Sequence, residues 1–209
     1  MEFRKTIMNK INWLFLDFDG TLVNNLDLMY KIYINFLKRF GKEGNKDEFN
    51  KLNGPNLTEI VNFLKENYKL DKNTSELLKI YEHEVEKTYE DIIPTKKNTD
   101  LLQKLKENNI KLALVTSTNR SITEKFLNRN KWKEFFSVVV CGDDVKKSKP
   151  DPEIYNLCVN LAKVGKKDVL VIEDSENGIK SATNAGLKCI SINEEIKLEN
   201  IISTIAKNE

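Results

Sequence analysis

The sequence predicts an α/β protein, a doubly wound parallel sheet of five strands with a four-helix block inserted after the first strand. Two observations carry this. Five short apolar runs are continuous rather than alternating, as in parallel strands buried on both faces, and helical patterns separate them. One long stretch, Leu26–Asp91, has no strand-like run at all.

The elements follow in order. Trp13–Leu16 is the first run. Four helical patterns come next, over Leu26–Phe40, Lys46–Leu52, Leu57–Asn67 and Thr74–Tyr89, separated by the polar breaks Gly41–Gly44, Gly54-Pro55 and Asp71–Asn73. In these helices Tyr30, Tyr33, Phe36 and Phe63 are expected to be core. Thr99–Asn109 then places Leu101, Leu102 and Leu105 on one face and ends in an Asn that tolerates left-handed geometry. Leu112–Val115 is the second run. Ser121 and Glu124 have the spacing of a capping box before a further helix. Ser137–Val140 is the third run. Asp151-Pro152 offers an N-cap and a first-turn proline for a helix whose apolar face is Ile154, Leu157, Cys158, Leu161 and Ala162. Val169–Ile172 is the fourth run, Ser175–Ala185 a helix stopped by Gly186, and Cys189–Ile192 the fifth run.

Composition excludes several classes. At 209 residues the chain suits one domain carrying an insert, and it buries roughly 70% of its unfolded surface without staples. Thirty-four basic against 32 acidic residues leave a net charge of +2, which predicts no nucleic-acid partner. The amino-terminal segment Met1–Lys10 is too polar for a signal sequence, and no apolar run approaches the ~20 residues of a membrane span. Cys141, Cys158 and Cys189 form no ligand-spaced pair and are expected to be reduced, buried and inert, in a cytoplasmic protein.

In open parallel sheets, ligands gather at the carboxyl ends of the strands near the switch in strand order. The polar residues closing the runs are therefore the candidates. The first run ends in Asp17-Phe18-Asp19-Gly20-Thr21, the second in Thr116-Ser117-Thr118 and the fourth in Glu173-Asp174-Ser175; Lys149-Pro150 follows the third. Several carboxylates in one cleft repel unless a cation joins them, and an all-oxygen set suits Mg²⁺. Hydroxyls and amides at Thr116 and Ser117, with the point charge of Lys149, suit a phosphate group. No glycine-rich nucleotide loop is present.

Taken in order, Asp17-Phe18-Asp19-Gly20-Thr21-Leu22-Val23, Thr116, Lys149-Pro150 and Glu173-Asp174 resemble the four motifs of the haloacid-dehalogenase superfamily of phosphohydrolases. The likeness covers essentially the whole chain and is nearest to the branch of phosphoglycolate-phosphatase-like and β-phosphoglucomutase-like enzymes. It implies a Rossmann-like core domain, residues 1–23 and 93–209, and a helical cap domain, residues 24–92. It implies Asp17 as nucleophile, giving an aspartyl-phosphate, and Asp19 as general acid and base. Mg²⁺ would be held by the Asp17 carboxylate, the Asp19 carbonyl and Asp174, with Glu173 as a direct or outer partner. Thr116, the Ser117 amide and Lys149 would hold the phosphate oxygens.

The cap loop Gly54, Pro55, Asn56, Leu57 and Thr58 is expected to face the site and select the substrate, a small phosphorylated metabolite. Leu57 stands where β-phosphoglucomutase-like relatives carry an arginine for a second phosphate, and Met29 where they carry a histidine, which favours a phosphomonoesterase over a mutase. Leu57 itself is expected to be exposed. Asn24-Asn25 replaces the usual Asp followed by Ser or Thr at the hinge, which bears on cap geometry and substrate preference. Members of this branch are commonly monomers.

Blander roles are expected elsewhere. Asp143 and Asp144 read as turn or cap residues, Lys146 and Lys147 as solvated surface, Ser175 as a helix cap and His83 as a bystander. Two other classes share parts of the pattern. A dehalogenase would need neither Asp19 nor Asp174. A non-catalytic phospho-aspartate signalling module would place its acceptor aspartate after a later strand and lack the helical insert.

Overall fold

A computed structural model describes residues 11–193 and 197–205. The expectation about Met1–Lys10 lies outside these residues. Among them are five strands, β1 (Trp13–Leu16), β2 (Lys111–Val115), β3 (Phe136–Val140), β4 (Val169–Glu173) and β5 (Lys188–Ser191). Nine helices accompany them. The inserted block contributes α1 (Leu26–Lys38), α2 (Lys46–Lys51), α3 (Leu57–Tyr68) and α4 (Thr74–Asp91). The remainder are α5 (Lys96–Glu107), α6 (Arg120–Arg129), α7 (Glu153–Ala162), α8 (Glu176–Asn184) and α9 (Leu198–Ile205).

The strands form one parallel sheet in the order β3-β2-β1-β4-β5. The strand sequence begins at the centre with β1, runs out to one edge through β2 and β3, and returns to build the other side with β4 and β5. The order therefore reverses between β1 and β4, and a crevice opens beyond their carboxyl ends. Register fixes what meets there. Leu16 pairs with Ile172, and the Asp17 amide donates to the Ile172 carbonyl at 3.0 Å, so Asp17 and Glu173 leave the sheet side by side.

The period of two along each strand divides the apolar residues between two cores. Leu14, Leu16, Leu112, Leu114, Leu170 and Ile172 face a cluster that continues through Phe18 and Phe126 into the interior of the helical block. Trp13, Phe15, Ala113, Val115, Val169 and Val171 face Ile154, Tyr155, Cys158 and Ala182 of α7 and α8. Both faces are covered, which is why the runs read as continuous.

Several local expectations need correction. Ser121 does not open α6; the helix begins one residue earlier, at Arg120, whose amide donates to Asp143 Oδ1 at 2.8 Å. Asp143 is thus the cap, while Glu124 pairs with Arg120 and Lys133. Asp151 sits one position before the N-cap Pro152, and its carboxylate accepts from the Glu153 amide. Phe63 is 43% exposed and Leu161 53% exposed, each on the outer side of its helix rather than in the core. Leu57 is buried as the first residue of α3, because Asn56 caps that helix and turns the leucine inward. Cys189 is half-buried, unlike Cys141 and Cys158, since it lies on the edge strand β5.

Other expectations hold. Tyr33 and Phe36 are fully buried, and Ser175 caps α8 by accepting from the Gly178 amide. His83, Lys146 and Lys147 are exposed.

Candidate active site

The carboxyl end of β1 delivers Asp17, and the end of β4 delivers Glu173 and Asp174. One oxygen from each lies within 4.8 Å of the others. Lys149, only 2% exposed, reaches in from the loop after β3; its Nζ donates to Asp17 Oδ1 at 2.7 Å and to Glu173 Oε1 at 2.6 Å. The Val115 carbonyl at the end of β2 accepts a third, longer bond of 3.3 Å.

Three carboxylates thus face a single ammonium in a buried crevice, leaving negative charge unbalanced. Burial first, then Glu173, holds Asp17 well above the ordinary carboxylate range, with Lys149 pulling the other way. Burial and Glu173 push Asp174 up to about 6. Burial works against the charge on Lys149, but Asp17 and Glu173 more than compensate and raise it. A hard cation among these oxygens would relieve the imbalance, so the donor set fits a divalent metal.

Glu173 is the most heavily bonded of the three. Oε1 accepts from Lys149 and from Tyr155 Oη at 3.3 Å; Oε2 accepts from the Asp174 amide, the Ser175 amide and Ser175 Oγ, each at 3.0 Å. Its carboxylate fills the space beside Gly178, where a Cβ would stand 1.7 Å from Oε1. Asp174 is freer, accepting from Thr21 Oγ1 at 3.1 Å. Gly20 lets it approach: φ is +82°, and a Cβ there would lie 2.2 Å from Asp174 Oδ2.

Asp19 lies outside that carboxylate cluster. Its carboxylate accepts from Asn25 Nδ2 at 2.5 Å, from Thr118 Oγ1 at 2.9 Å and from Tyr89 Oη. Thr116 is buried, and its hydroxyl accepts from the Thr118 amide at 3.0 Å, shaping the loop after β2. Ser117 donates its hydroxyl to the Gly54 carbonyl, so the loop before α3 rests on the core at this point. Two more contacts seat the same segment: Asn177 Nδ2 donates to the Asn53 carbonyl at 2.7 Å, and Ser148, beside Lys149, bonds Glu59.

Among the remaining candidates, Asn25 is buried against Asp19 but Asn24 is exposed. Asn56 spends its side chain capping α3. Pro55 is half-buried between Gly54 and that cap. Tyr89, Tyr155 and Glu59 escaped the sequence reading, and Thr118 carried no role of its own in it. Thr118 lay in the run after β2, whereas Tyr89 sat in a helical pattern where an aromatic reads as packing.

Comparison with known proteins bears on family and fold. The family model described as haloacid dehalogenase-like hydrolase matches residues 14–192. A phosphorylated carbohydrates phosphatase of Thermotoga maritima is 30% identical over 175 residues, covering 83% of this chain and 81% of the relative. The pyrophosphatase PpaX of Bacillus mycoides is 28% identical over 197 residues, covering 90% and 86%. In fold, the chain is similar to the crystal structure of CbbY from Rhodobacter sphaeroides in complex with phosphate, with a TM-score of 0.73 at 23% identity and coverage of 90% and 88%.

Proposed function

The chain belongs to the haloacid dehalogenase-like hydrolase family, and from that membership we propose that it is a Mg²⁺-dependent phosphatase acting on a small phosphorylated metabolite. The observation that carries the reading is the meeting of Asp17, Glu173 and Asp174 oxygens within 4.8 Å beside Lys149. Residues 24–92 act as the cap over a core made of the rest.

Asp17 attacks phosphorus and forms an aspartyl-phosphate as the ester bond breaks. Asp19 gives a proton to the leaving oxygen, then takes one from the water that cleaves the acyl phosphate, returning both carboxylates to their starting state. Lys149, which touches Asp17, binds the phosphate oxygens in this reading, with Thr116 and the Ser117 amide. The carboxylates of Asp17 and Asp174, with the Asp19 carbonyl, would hold Mg²⁺, which supplies charge neutralisation for the phosphate. Glu173 holds Lys149 and the start of α8, and five donors already occupy its two oxygens.

The phosphatase-type relatives support this reading over a mutase. Residues 53–58 offer no cation for a second phosphate, and Leu57 is buried. The helical block that follows the first strand also favours this reading over a phospho-aspartate signalling module. No described helix is long and apolar enough to cross a membrane, and the three free thiols accord with a reducing, cytoplasmic setting.

The test is steady release of phosphate from p-nitrophenyl phosphate. Turnover should require Mg²⁺, vanish with chelator, and fall by about 10⁴-fold or more in Asp17→Asn while the circular dichroism spectrum is retained. Release that stops at one phosphate per chain, or normal turnover by Asp17→Asn, would overturn the reading. A panel of phosphorylated sugars, phosphoglycolate and nucleotides then identifies the substrate.

A further inference from the structure

We infer that Tyr89, on the last helix of the inserted block, is the positioning residue for Asp19, fixing the carboxylate that protonates the leaving group. The inference rests on the acid–base role proposed for Asp19 and adds the residue that aims it.

Tyr89 is 3% exposed, and its hydroxyl donates to Asp19 Oδ1. The ring is wedged between Phe18, at 5.8 Å between centroids, and Phe126, at 6.0 Å. Phe18 stands between Asp17 and Asp19 in the chain, so the same aromatic cluster locates the backbone of both aspartates.

The main chain of Tyr89 is held equally firmly. Arg129 of α6 donates to the carbonyls of Tyr89 at 2.8 Å and Ile92 at 2.7 Å, and to that of Glu90. These bonds tie the carboxyl end of α4 to the core and fix where the hydroxyl points. From the other side, Asn25 donates to the same Asp19 oxygen. Asn25 occupies the N-cap position of α1 yet makes no side-chain cap bond, and its Oδ1 is buried without a partner among the described residues. Its amide is therefore committed to Asp19 rather than to the helix. Thr118 holds the second oxygen and lies 3.3 Å from the Tyr89 hydroxyl. Both connections of the block thus converge on one carboxylate, and it is the Tyr89 side that is clamped to the core.

An alkyl phosphate needs its leaving oxygen protonated, whereas p-nitrophenolate departs without a proton. The ratio of kcat/KM for β-glycerol phosphate to that for p-nitrophenyl phosphate isolates this step, and it does not depend on the fraction of active enzyme. Tyr89→Phe keeps the ring packing and should lower the ratio about tenfold, with the thermal midpoint little changed. Asp19→Asn should lower it further. An unchanged ratio in Tyr89→Phe, while Asp19→Asn lowers it, would overturn the role of Tyr89 alone. An unchanged ratio in both variants would overturn the acid role of Asp19 and the inference with it.

Discussion

The carboxylate of Glu173 occupies the volume that a Cβ on Gly178 would require, with Oε1 1.7 Å from that position. The fit lets one buried acid accept from the Ser175 amide and hydroxyl while it also holds Lys149. Gly178→Ala should displace Glu173, loosen Lys149 and cost about 1–3 kcal/mol by overpacking. Denaturant unfolding reads the stability, and p-nitrophenyl phosphate turnover should fall with it. A variant of unchanged stability and activity would show that Glu173 has room to move.

Leu57 gives a second prediction, because the structure reverses what the sequence suggests. It is 8% exposed and packs with Val61 and Leu64 in the block's interior. Leu57→Arg should therefore destabilise the fold by about 2–4 kcal/mol, as expected for an unpaired charge replacing a core leucine. An unshifted unfolding midpoint would mean that the first turn of α3 can open without loss.

Stability should also decline in alkali. Burial pushes the Cys141 thiol up to about 12 and raises Cys158 and the Tyr81 phenol well above their usual ranges. Groups whose folded values are raised contribute stability that is fully present below the unfolded value. For the thiols that value is about 8.5, and the contribution is lost as pH climbs toward the folded value. The thermal midpoint should hold near pH 8 and fall progressively between about pH 9 and 11. Native Cys141 and Cys158 should resist thiol reagents that label the unfolded chain. A flat midpoint across that range would contradict their burial.

The sheet and the site were legible for different reasons. Continuous apolar runs such as Leu112–Val115 betray strands covered on both faces, and the polar residues that close them must gather where strand order turns back. Helix starts were harder, since Asp143 caps α6 from 23 residues away in sequence and no local spacing records that. Tyr89 and Tyr155 were invisible for a related reason. A buried tyrosine at helical spacing looks like packing, and here it is packing; only the third dimension shows that each hydroxyl also ends on a carboxylate. Leu57 misled because the loop expected to face the site, Gly54 to Thr58, runs two residues past the cap Asn56 into the first turn of α3.

The block's two tethers to the sheet domain are unequal. The outgoing one is pinned at Asn25 by a single side-chain bond, while the returning one is bolted through three main-chain carbonyls to Arg129 and wedged among aromatic rings. Any swing of the block away from the crevice therefore has its fulcrum at residues 89–92, and the greatest travel falls to the far rim, where Gly54, Asn53 and Glu59 touch the core through isolated polar contacts.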